Sequence, residues 1–392
     1  MNSSNHETDM WTIEDIQNDE QLRIREFPVC KDQVFLSHAA VCPLPACVSQ
    51  AIADYASACQ FGDQEDAAVS LNAQTRLLAA NLLGVQSSEV ALVGPTSLAL
   101  SFVASGFPWR KGDAILVYQD DYPSNVYPWM ALSEWGVEVR FLNVSSPGGI
   151  RCIDVEGQID ENVRMVALAS CHFLSGFRLE VEAIGRMLKE RGIAFCLDAI
   201  QTIGAFPTPL DHVDFMAADA HKWMLGPCAA GLMIVKESMQ DVLQPTTFGW
   251  HNVQCPDFVT AEDLILAPDA RRYEAGSHNS MGIVGLHASL QLLQRIGIDN
   301  IARDLLAKRR LLVDELTQKK YRVMHADVED LHASGMVTFD RAGEDMRATH
   351  QRLKEKHIFT ALRSDRDGRA YIRVSPHFYN TNDDLLRFLE AL

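Results

Sequence analysis

The sequence is 392 residues long, 47% hydrophobic and 22% charged, with a formal net charge of −17. This length suits one large domain plus a smaller one, and the composition is that of a soluble globular protein. The acidic balance excludes nucleic acid and anionic membranes as partners, because both require a basic patch that the sequence lacks.

Residues 1–20 are polar and acidic, without the apolar core of a signal peptide. No run of about 18 apolar residues occurs, so no membrane span is expected. The nine cysteines are odd in number and form no CxxC pairs of the metal-binding kind, and none lies beyond Cys255. These features predict a cytoplasmic protein with reduced thiols and no metal site.

The first part of the chain predicts a tail followed by helices. Residues 1–24 are expected to be a mobile tail that holds at most one short helix. A short apolar stretch covers 34–40, and residues 46–58 have helical apolar spacing. A second helix is predicted over 70–83, because Gly84 after it is a typical helix C-cap.

Apolar segments of strand length alternate with helical segments between about residues 89 and 236. This alternation predicts an α/β fold with a mostly parallel sheet. The predicted strands are 89–93, 113–118, 137–142, 165–170, 193–197, 213–218 and 231–235, and the clearest helices are 98–105 and 181–191.

The pattern changes after residue 236. Residues 244–270 are loop-like, and a long helix is predicted over 284–296. Beyond it, helices near 300–318, 345–356 and 382–391 alternate with strands at 321–324, 336–339, 358–361 and 371–374. We therefore predict a tail (1–24), a large domain (25–285) and a small C-terminal domain (286–392).

Two charged residues lie at the ends of predicted buried strands. Asp198 ends the apolar run 193–197, and Lys222 follows the run 213–218. Charges at such sites need partners in a crevice. A lysine amine that condenses with an aldehyde, beside a carboxylate that keeps a pyridine nitrogen protonated, is the arrangement of pyridoxal 5'-phosphate (PLP) catalysis. The alternative is a strand-end lysine and a helix-capping aspartate, each common alone.

Two further positions fit the same cofactor. Thr96 and Ser97 follow a predicted strand and open a helix, where free N–H groups and the helix dipole favour a phosphate. Taken alone, these hydroxyls are more typical of a helix N-cap. Their position before the Asp198 strand and the lysine favours the phosphate site. Tyr122, just past another strand, could stack on a cofactor ring or pack against a neighbouring helix.

Four ordered motifs carry a resemblance to a known family. They are Asp198-x-x-Gln201, His221-Lys222-Trp223 with Gly226-Pro227, Glu274-Ala-Gly-Ser277, and the run from Arg373 to Thr381. From about Val34 to Leu392 the sequence resembles the aminotransferase class-V branch of PLP enzymes, which includes cysteine desulfurases, selenocysteine lyases and isopenicillin N epimerase. The resemblance implies fold type I, with a mostly parallel seven-stranded sheet and a smaller C-terminal α+β domain.

The resemblance also implies a role for each matching residue. The implied catalytic residues are Lys222, which would form the internal aldimine and move protons at Cα, with Asp198 on the pyridinium nitrogen and His221. The cofactor would also contact Thr96, Ser97, Tyr122 and Gln201, and Ser277 would reach the phosphate from a neighbouring subunit, which implies a homodimer with shared active sites. The implied substrate-binding residues are Arg373, for the carboxylate, with His38 and Phe173. The alternatives are a structural role for His38 and simple packing for Phe173.

Several residues depart from the desulfurase pattern. Desulfurases have a cysteine on the loop before the carboxylate-binding arginine, whereas the interval 363–369 contains none. Without a thiolate there, persulfide formation on the enzyme has no acceptor. Tyr122 and Phe173 stand where the desulfurases have histidine and asparagine. Asp219 replaces a small hydroxyl residue, and its carboxylate is expected to orient His221 rather than bind phosphate.

We therefore predict a PLP enzyme that acts at Cα or Cβ of a small amino acid, by C–S cleavage and β-elimination or by transamination. One alternative is a cysteine desulfurase or selenocysteine lyase that works without the loop cysteine. Another is a PLP-binding protein with no catalytic activity. Cys171 and Cys228 are expected to be packed thiols rather than nucleophiles.

Overall fold

The computed structural model describes residues 11–392 except 256, 258 and 261. The helices are α1 (Ile13–Asn18), α2 (Glu20–Glu26), α3 (Ala46–Ala58), α4 (Gln64–Leu83), α5 (Thr96–Gly106), α6 (Tyr127–Met130), α7 (Cys152–Glu156), α8 (Val181–Glu190), α9 (Glu237–Gln240), α10 (Ser280–Ile296), α11 (Ile298–Gln318), α12 (Met346–Glu355) and α13 (Asn382–Ala391).

The strands form a large central sheet, a smaller antiparallel sheet and one isolated pair. They are β1 (Val34–Phe35), β2 (Val90–Ala91), β3 (Ala114–Val117), β4 (Glu138–Phe141), β5 (Val163–Ala169), β6 (Ala194–Asp198), β7 (Phe215–Asp219), β8 (Gly231–Val235), β9 (Arg322–Val323), β10 (Val337–Asp340), β11 (Ile358–Phe359), β12 (Ala361–Ser364) and β13 (Ala370–Val374).

The central sheet has seven strands in the order β2-β8-β7-β6-β5-β3-β4. Strands β3 to β7 run parallel, and β8 runs antiparallel to both of its neighbours. Every residue of β6, β7 and β8 is buried, as expected when a parallel sheet is covered on both faces. The predicted α/β class with a mostly parallel sheet is confirmed.

Local sequence signals explain the ends of α4. Gly84 adopts a left-handed conformation (φ 67°) that favours glycine, and its N–H donates to Ala80, so the helix ends where predicted. The helix begins at Gln64 rather than near residue 70, because Asp63 caps it by accepting from the amide of Glu65. Gln64, Glu65 and Asp66, which begin the helix, are polar and exposed, so apolar spacing could not reveal this start.

The C-terminal region builds a second layer on the antiparallel sheet β12-β13-β10-β9. It has its own apolar core, which includes Leu36, Phe339 and Phe388. The strand predicted at 358–361 is divided: β11 pairs in parallel with β1, whereas β12 pairs antiparallel with β13. The segment near residue 35 therefore belongs to this layer, although it precedes the central sheet in sequence.

The N-terminal segment differs from the predicted tail. Residues 1–10 lie outside the described residues, but α1 and α2 pack on the protein. Trp11 and Ile16 are buried, and Trp11 contacts Phe27 edge-on at a centroid distance of 6.1 Å. Arg23 forms a 2.8 Å ion pair with Asp384. Burial of these side chains provides the stabilisation that a solvated tail would lack.

The proposed division at residue 285 falls inside α10, which packs against α3 and α4. The division into tail, large domain and small domain therefore remains a prediction. In the described part of the chain, no helix combines the length and the apolar content needed to cross a membrane.

Candidate active site

A cavity of about 280 Å³ opens where the central sheet meets the C-terminal layer. Its walls come from segments that follow β2, β3, β5, β6 and β7, and from β12 and β13, consistent with ligand sites at the carboxyl ends of parallel strands. The lining residues are Ala39, Ala40, Val41, Pro95, Thr96, Ser97, Tyr122, Ser124, Phe173, Asp198, Ile200, Gln201, His221, Lys222, Arg363 and Arg373.

Asp198 is the last residue of β6 and is 3% exposed. Its Oδ1 accepts a hydrogen bond from the amide of Ile200 at 3.1 Å. Burial raises the pKa of Asp198 to about 7, and the nearby Asp121 carboxylate acts in the same direction. A carboxylate so placed interacts strongly with a cationic N–H brought into the cavity.

Lys222 follows β7, and its side chain is buried in the same cavity. Burial lowers the pKa of the Lys222 amine to about 8; Asp198 opposes this shift, and the Arg373 guanidinium adds to it. The amine therefore has a substantial neutral fraction near neutral pH, as a nucleophilic lysine requires. Its Nζ lies 5.2 Å from the centroid of the Tyr122 ring.

Gln201 is held at the cavity wall by two hydrogen bonds. Its Oε1 accepts from Trp223 Nε1 at 2.9 Å, and its Nε2 donates to the carbonyl of Ala39 at 3.2 Å. A side-chain amide has two N–H groups, so a second remains to donate to a ligand.

The N-terminus of α5 faces the cavity through Thr96 and Ser97. No side chain caps the helix. Thr96 Oγ1 accepts from the amide of Asp219 at 2.9 Å, and Ser97 Oγ donates to Ser124 Oγ at 2.7 Å. Amides at the start of this 11-residue helix, together with these hydroxyls, form an environment suited to an anion.

His221 is anchored by the preceding strand. Its Nδ1 lies 2.5 Å from Oδ2 of Asp219, and the same oxygen accepts from the amide of Ala229 at 3.1 Å. The carboxylate of Asp219 thus orients His221, as the sequence predicted.

Arg373 is 1% exposed, yet only part of its guanidinium has a partner. Nη1 donates to the carbonyl of Phe173, whereas Nε and Nη2 have no hydrogen-bond partner among the described residues. Burial lowers the pKa of Arg373 to about 9, and Arg363 acts in the same direction. Two unpaired donors on one buried guanidinium fit a bidentate carboxylate ligand.

Arg363 is a cavity residue that the sequence reasoning did not assign. In the pairing of β12 with β13, Ala361 lies opposite Arg373 and Arg363 lies opposite Tyr371. Because side chains alternate along a strand, both arginines lie on the same face of this sheet. Arg363 lies two residues beyond the predicted strand 358–361, so only the observed pairing of β12 with β13 places it beside Arg373.

Tyr122 and Phe173 form an aromatic wall. Their rings meet edge-to-face, with centroids 5.5 Å apart, and Tyr122 remains 44% exposed. The Tyr122 ring is therefore accessible to a planar ligand above Lys222.

Two predicted site residues lie elsewhere. His38 is fully buried outside the cavity lining: its Nδ1 lies 2.9 Å from the Ser375 carbonyl and its Nε2 lies 2.7 Å from the Tyr379 hydroxyl. Burial lowers the pKa of His38 to about 4. Ser277 lines a separate surface cavity.

The thiols near the site differ in exposure. Cys171 is buried, and burial raises its pKa to about 12, which suits a packed thiol. Cys228 is exposed. Neither cysteine lines the cavity.

One group among the described residues has the composition of a metal site: the buried Glu274 with the partly buried His251 and His278. However, the Glu274 carboxylate already accepts from Arg76, from the amide of Leu92 and from His278. These bonds use its acceptor capacity, so the group serves as a structural link between α4, β2 and the segment before α10.

The sequence model of the Aminotransferase class-V family matches residues 34–388. A probable cysteine desulfurase of Methanothermobacter thermautotrophicus is 27% identical over 389 residues, which cover 94% of this chain and 96% of that protein. An uncharacterized aminotransferase of Bacillus subtilis, YcbU, is 26% identical over 93% of this chain and 95% of that protein.

Solved structures have the same fold. The apo cysteine desulfurase of Thermococcus onnurineus NA1 superposes with a TM-score of 0.86 at 22% identity, covering 94% of this chain and 95% of that one. The cystine C–S lyase C-DES, solved with its product cysteine persulfide, gives a TM-score of 0.85 at 22% identity, covering 93% and 98%. The predicted fold type I architecture is confirmed. The family match covers most of the sequence, and the chain therefore belongs to the aminotransferase class-V family.

Proposed function

We propose that the protein is a PLP-dependent lyase that breaks the Cβ–S bond of a sulfur-containing amino acid and releases the sulfur fragment directly. The observation that carries this proposal is one cavity that joins a buried amine (Lys222), a buried acid (Asp198) and a buried, half-unpaired guanidinium (Arg373). Family membership supports PLP as the cofactor.

The cavity residues fit this cofactor. The free amides of α5, with Thr96 and Ser97, suit a phosphate group, and Asp198 suits a protonated ring nitrogen. Gln201 would donate its remaining N–H to the phenolic oxygen, and Lys222 would supply the amine for the aldehyde. A protein of the same fold, a mutant of C-DES, has been solved with glycine covalently linked to its PLP cofactor.

The chemistry that PLP supplies when bound is an electron sink for charge that develops at Cα of an amino acid. Arg373 would bind the α-carboxylate through Nε and Nη2 and so fix which bond at Cα faces Lys222. Lys222, held within reach of the Tyr122 ring, would remove the Cα proton with its neutral amine. Asp198 would hold the proton on the ring nitrogen.

The proposal that the sulfur fragment is released directly rests on the sequence between Arg363 and Arg373. The interval 363–369 has no cysteine, and none occurs after Cys255. Arg363 adds a second guanidinium on the same sheet face, which suits a substrate with a second carboxylate. Cystine has both a Cβ–S bond and a second carboxylate. Loss of its Cα proton, cleavage of one Cβ–S bond and addition of water would give pyruvate, ammonium and cysteine persulfide.

The proposal includes a cytoplasmic homodimer in which Ser277 of one subunit completes the phosphate site of the other. Ser277 is exposed and lies away from the cavity of its own chain. An exposed apolar side chain, Leu98 (40% exposed), lines the same surface cavity as Ser277. Light scattering of the wild type and of Ser277→Ala would give the oligomeric state. The PLP dissociation constants of the same two proteins would show whether Ser277 contributes to cofactor binding.

The function is tested by incubating the PLP-loaded protein with cystine, cysteine and S-methylcysteine and measuring pyruvate, ammonium, persulfide sulfur and keto acids. We expect pyruvate and persulfide from cystine, and neither from Lys222→Ala. Borohydride should fix the cofactor to Lys222. A keto acid formed with stoichiometric amino transfer would indicate a transaminase, and no product from any amino acid would indicate a non-catalytic PLP-binding protein.

A further inference from the structure

Asp219 is a buried acid that the function above leaves without a role. It is 2% exposed and stands at the end of β7, three residues before Lys222. Oδ2 is bonded to His221 Nδ1 and to the amide of Ala229, whereas Oδ1 has no partner among the described residues. Its backbone amide donates to Thr96 Oγ1. Asp219 thus links the start of α5 to His221.

The hydrogen bond to Asp219 fixes which nitrogen of His221 faces a ligand. A carboxylate can only accept, so Nδ1 must carry a proton, and Nε2 is the nitrogen left for the cavity. If the ring is neutral, Nε2 is an acceptor and repels an anion. If the ring is charged, Nε2 donates, and the Asp219 carboxylate stabilises the positive charge.

The anion site has few other positive groups. The cavity cations besides His221 are Lys222, Arg363 and Arg373, and the proposed function uses these for the aldehyde and the substrate carboxylates. A phosphate at the start of α5 would otherwise be met only by amides and hydroxyls. A doubly protonated His221 would supply the missing charge.

We propose that Asp219 is a positioning residue for the cofactor phosphate, holding His221 as an imidazolium whose Nε2–H donates to that group. This inference rests on PLP as the cofactor. Asp219 itself does not touch the phosphate; it acts through His221.

The test measures how tightly the cofactor-free full-length protein binds PLP and how tightly it binds pyridoxal, which lacks the phosphate. The two dissociation constants are then compared. Asp219→Asn preserves shape but removes the charge. It should weaken PLP binding about 10- to 100-fold, the range for a lost hydrogen bond to a charged group. The affinity for pyridoxal should change less than about threefold, within the context dependence of such contacts.

A double-mutant cycle adds a readout that a purely structural role would not produce. In a His221→Gln background, Asp219→Asn should cost little further PLP affinity, because Asp219 acts through His221. Asp214→Asn is the control: Asp214 is a partly buried acid just before the same strand, and its carboxylate accepts from the amide of Phe195. It should leave the ratio of PLP to pyridoxal affinity unchanged.

Equal weakening of PLP and pyridoxal by Asp219→Asn, or an undiminished effect in the His221→Gln background, would overturn the proposal. If Asp219→Asn does not fold, Asp219→Ala, which cannot bond to His221, is measured in the same way and must lower the ratio of PLP to pyridoxal affinity. Failure of the wild type to bind PLP at Lys222 would instead overturn the proposed function, and this inference with it.

Discussion

Two sets of buried charges in this protein use their hydrogen-bonding capacity differently. Arg23 and Asp384, at the contact of the N-terminal helices with the C-terminal layer, form a 2.8 Å ion pair. Asp384 also accepts from Asn380 and from the amide of Thr381. Arg373 is as deeply buried, yet two of its nitrogens have no partner among the described residues. Satisfied buried charges hold the fold, whereas unsatisfied ones need a ligand.

Substitution of Lys222 should show most clearly that a buried charge in the cavity serves activity rather than stability. Replacing it by Ala should lower kcat by more than about a thousandfold, because both the attachment point and the base are lost. The unfolding free energy should not fall, since a buried amine with a lowered pKa is removed. Turnover assays and urea unfolding of the same preparation measure both effects. Substantial residual turnover would assign the chemistry to another residue.

The opposite behaviour is expected at Arg23. Arg23→Ala leaves Asp384 buried without its cation and should lower the unfolding free energy by about 3–5 kcal/mol. The kcat of the folded fraction should remain unchanged, because Arg23 does not line the cavity. Arg25→Ala removes an exposed pair with Glu26 and is the matched control, with an expected loss below about 1 kcal/mol. Equal losses in the two variants would remove the distinction.

A pH series tests the cost of keeping Asp198 buried. Its pKa is raised from 3.8 to about 7 by burial, so between these values the folded protein holds a proton that the unfolded chain has lost. The contribution of this proton to the free energy of unfolding of the cofactor-free protein is fully present below pH 3.8. It is lost as the pH rises through 7. Asp198→Asn should remove this dependence, on the order of 2–4 kcal/mol, in urea unfolding. A curve identical to wild type would contradict the burial argument.

The smallest effect is expected at the arginine pair. Arg373→Gln should raise KM about 10- to 150-fold for every α-amino acid substrate, as expected for a lost charge-assisted hydrogen bond of about 1.5–3 kcal/mol. Arg363→Gln should raise KM for cystine and leave that for S-methylcysteine nearly unchanged. Steady-state kinetics with both substrates separates the roles. Equal effects of Arg363→Gln on both would assign it to the α-carboxylate.

The elements that could be predicted from sequence are those with a strong local signal. The buried runs of β6 to β8 and the capped end of α4 at Gly84 fall near their predicted positions. The predicted tail allows one short helix, but the packing of α1 and α2 on the protein could not be predicted, because it depends on distant partners such as Phe378 and Asp384. The division of residues 358–364 into two strands likewise depends on pairing with β1 and β13.

The same distinction applies to the site. Lys222, Asp198 and Gln201 follow strands in a recognisable order, and the structure brings them into one cavity. His38 has the residue type of a site histidine, but Ser375 and Tyr379 occupy both of its nitrogens. No pattern in the sequence predicts these two partners, because they lie more than 300 positions away from His38 in the chain.

The parallel pairing of β1 with β11 has a consequence for how the protein is made. Val34 cannot bond to its partner strand until Ile358 has been synthesised, and the backbone at Ala39–Val41, which follows β1, forms part of the cavity wall. Contacts between such distant positions form slowly, and large proteins assemble in stages. A ribosome-bound chain that stops short of β13 therefore contains all seven strands of the central sheet, but its cavity still lacks Arg373.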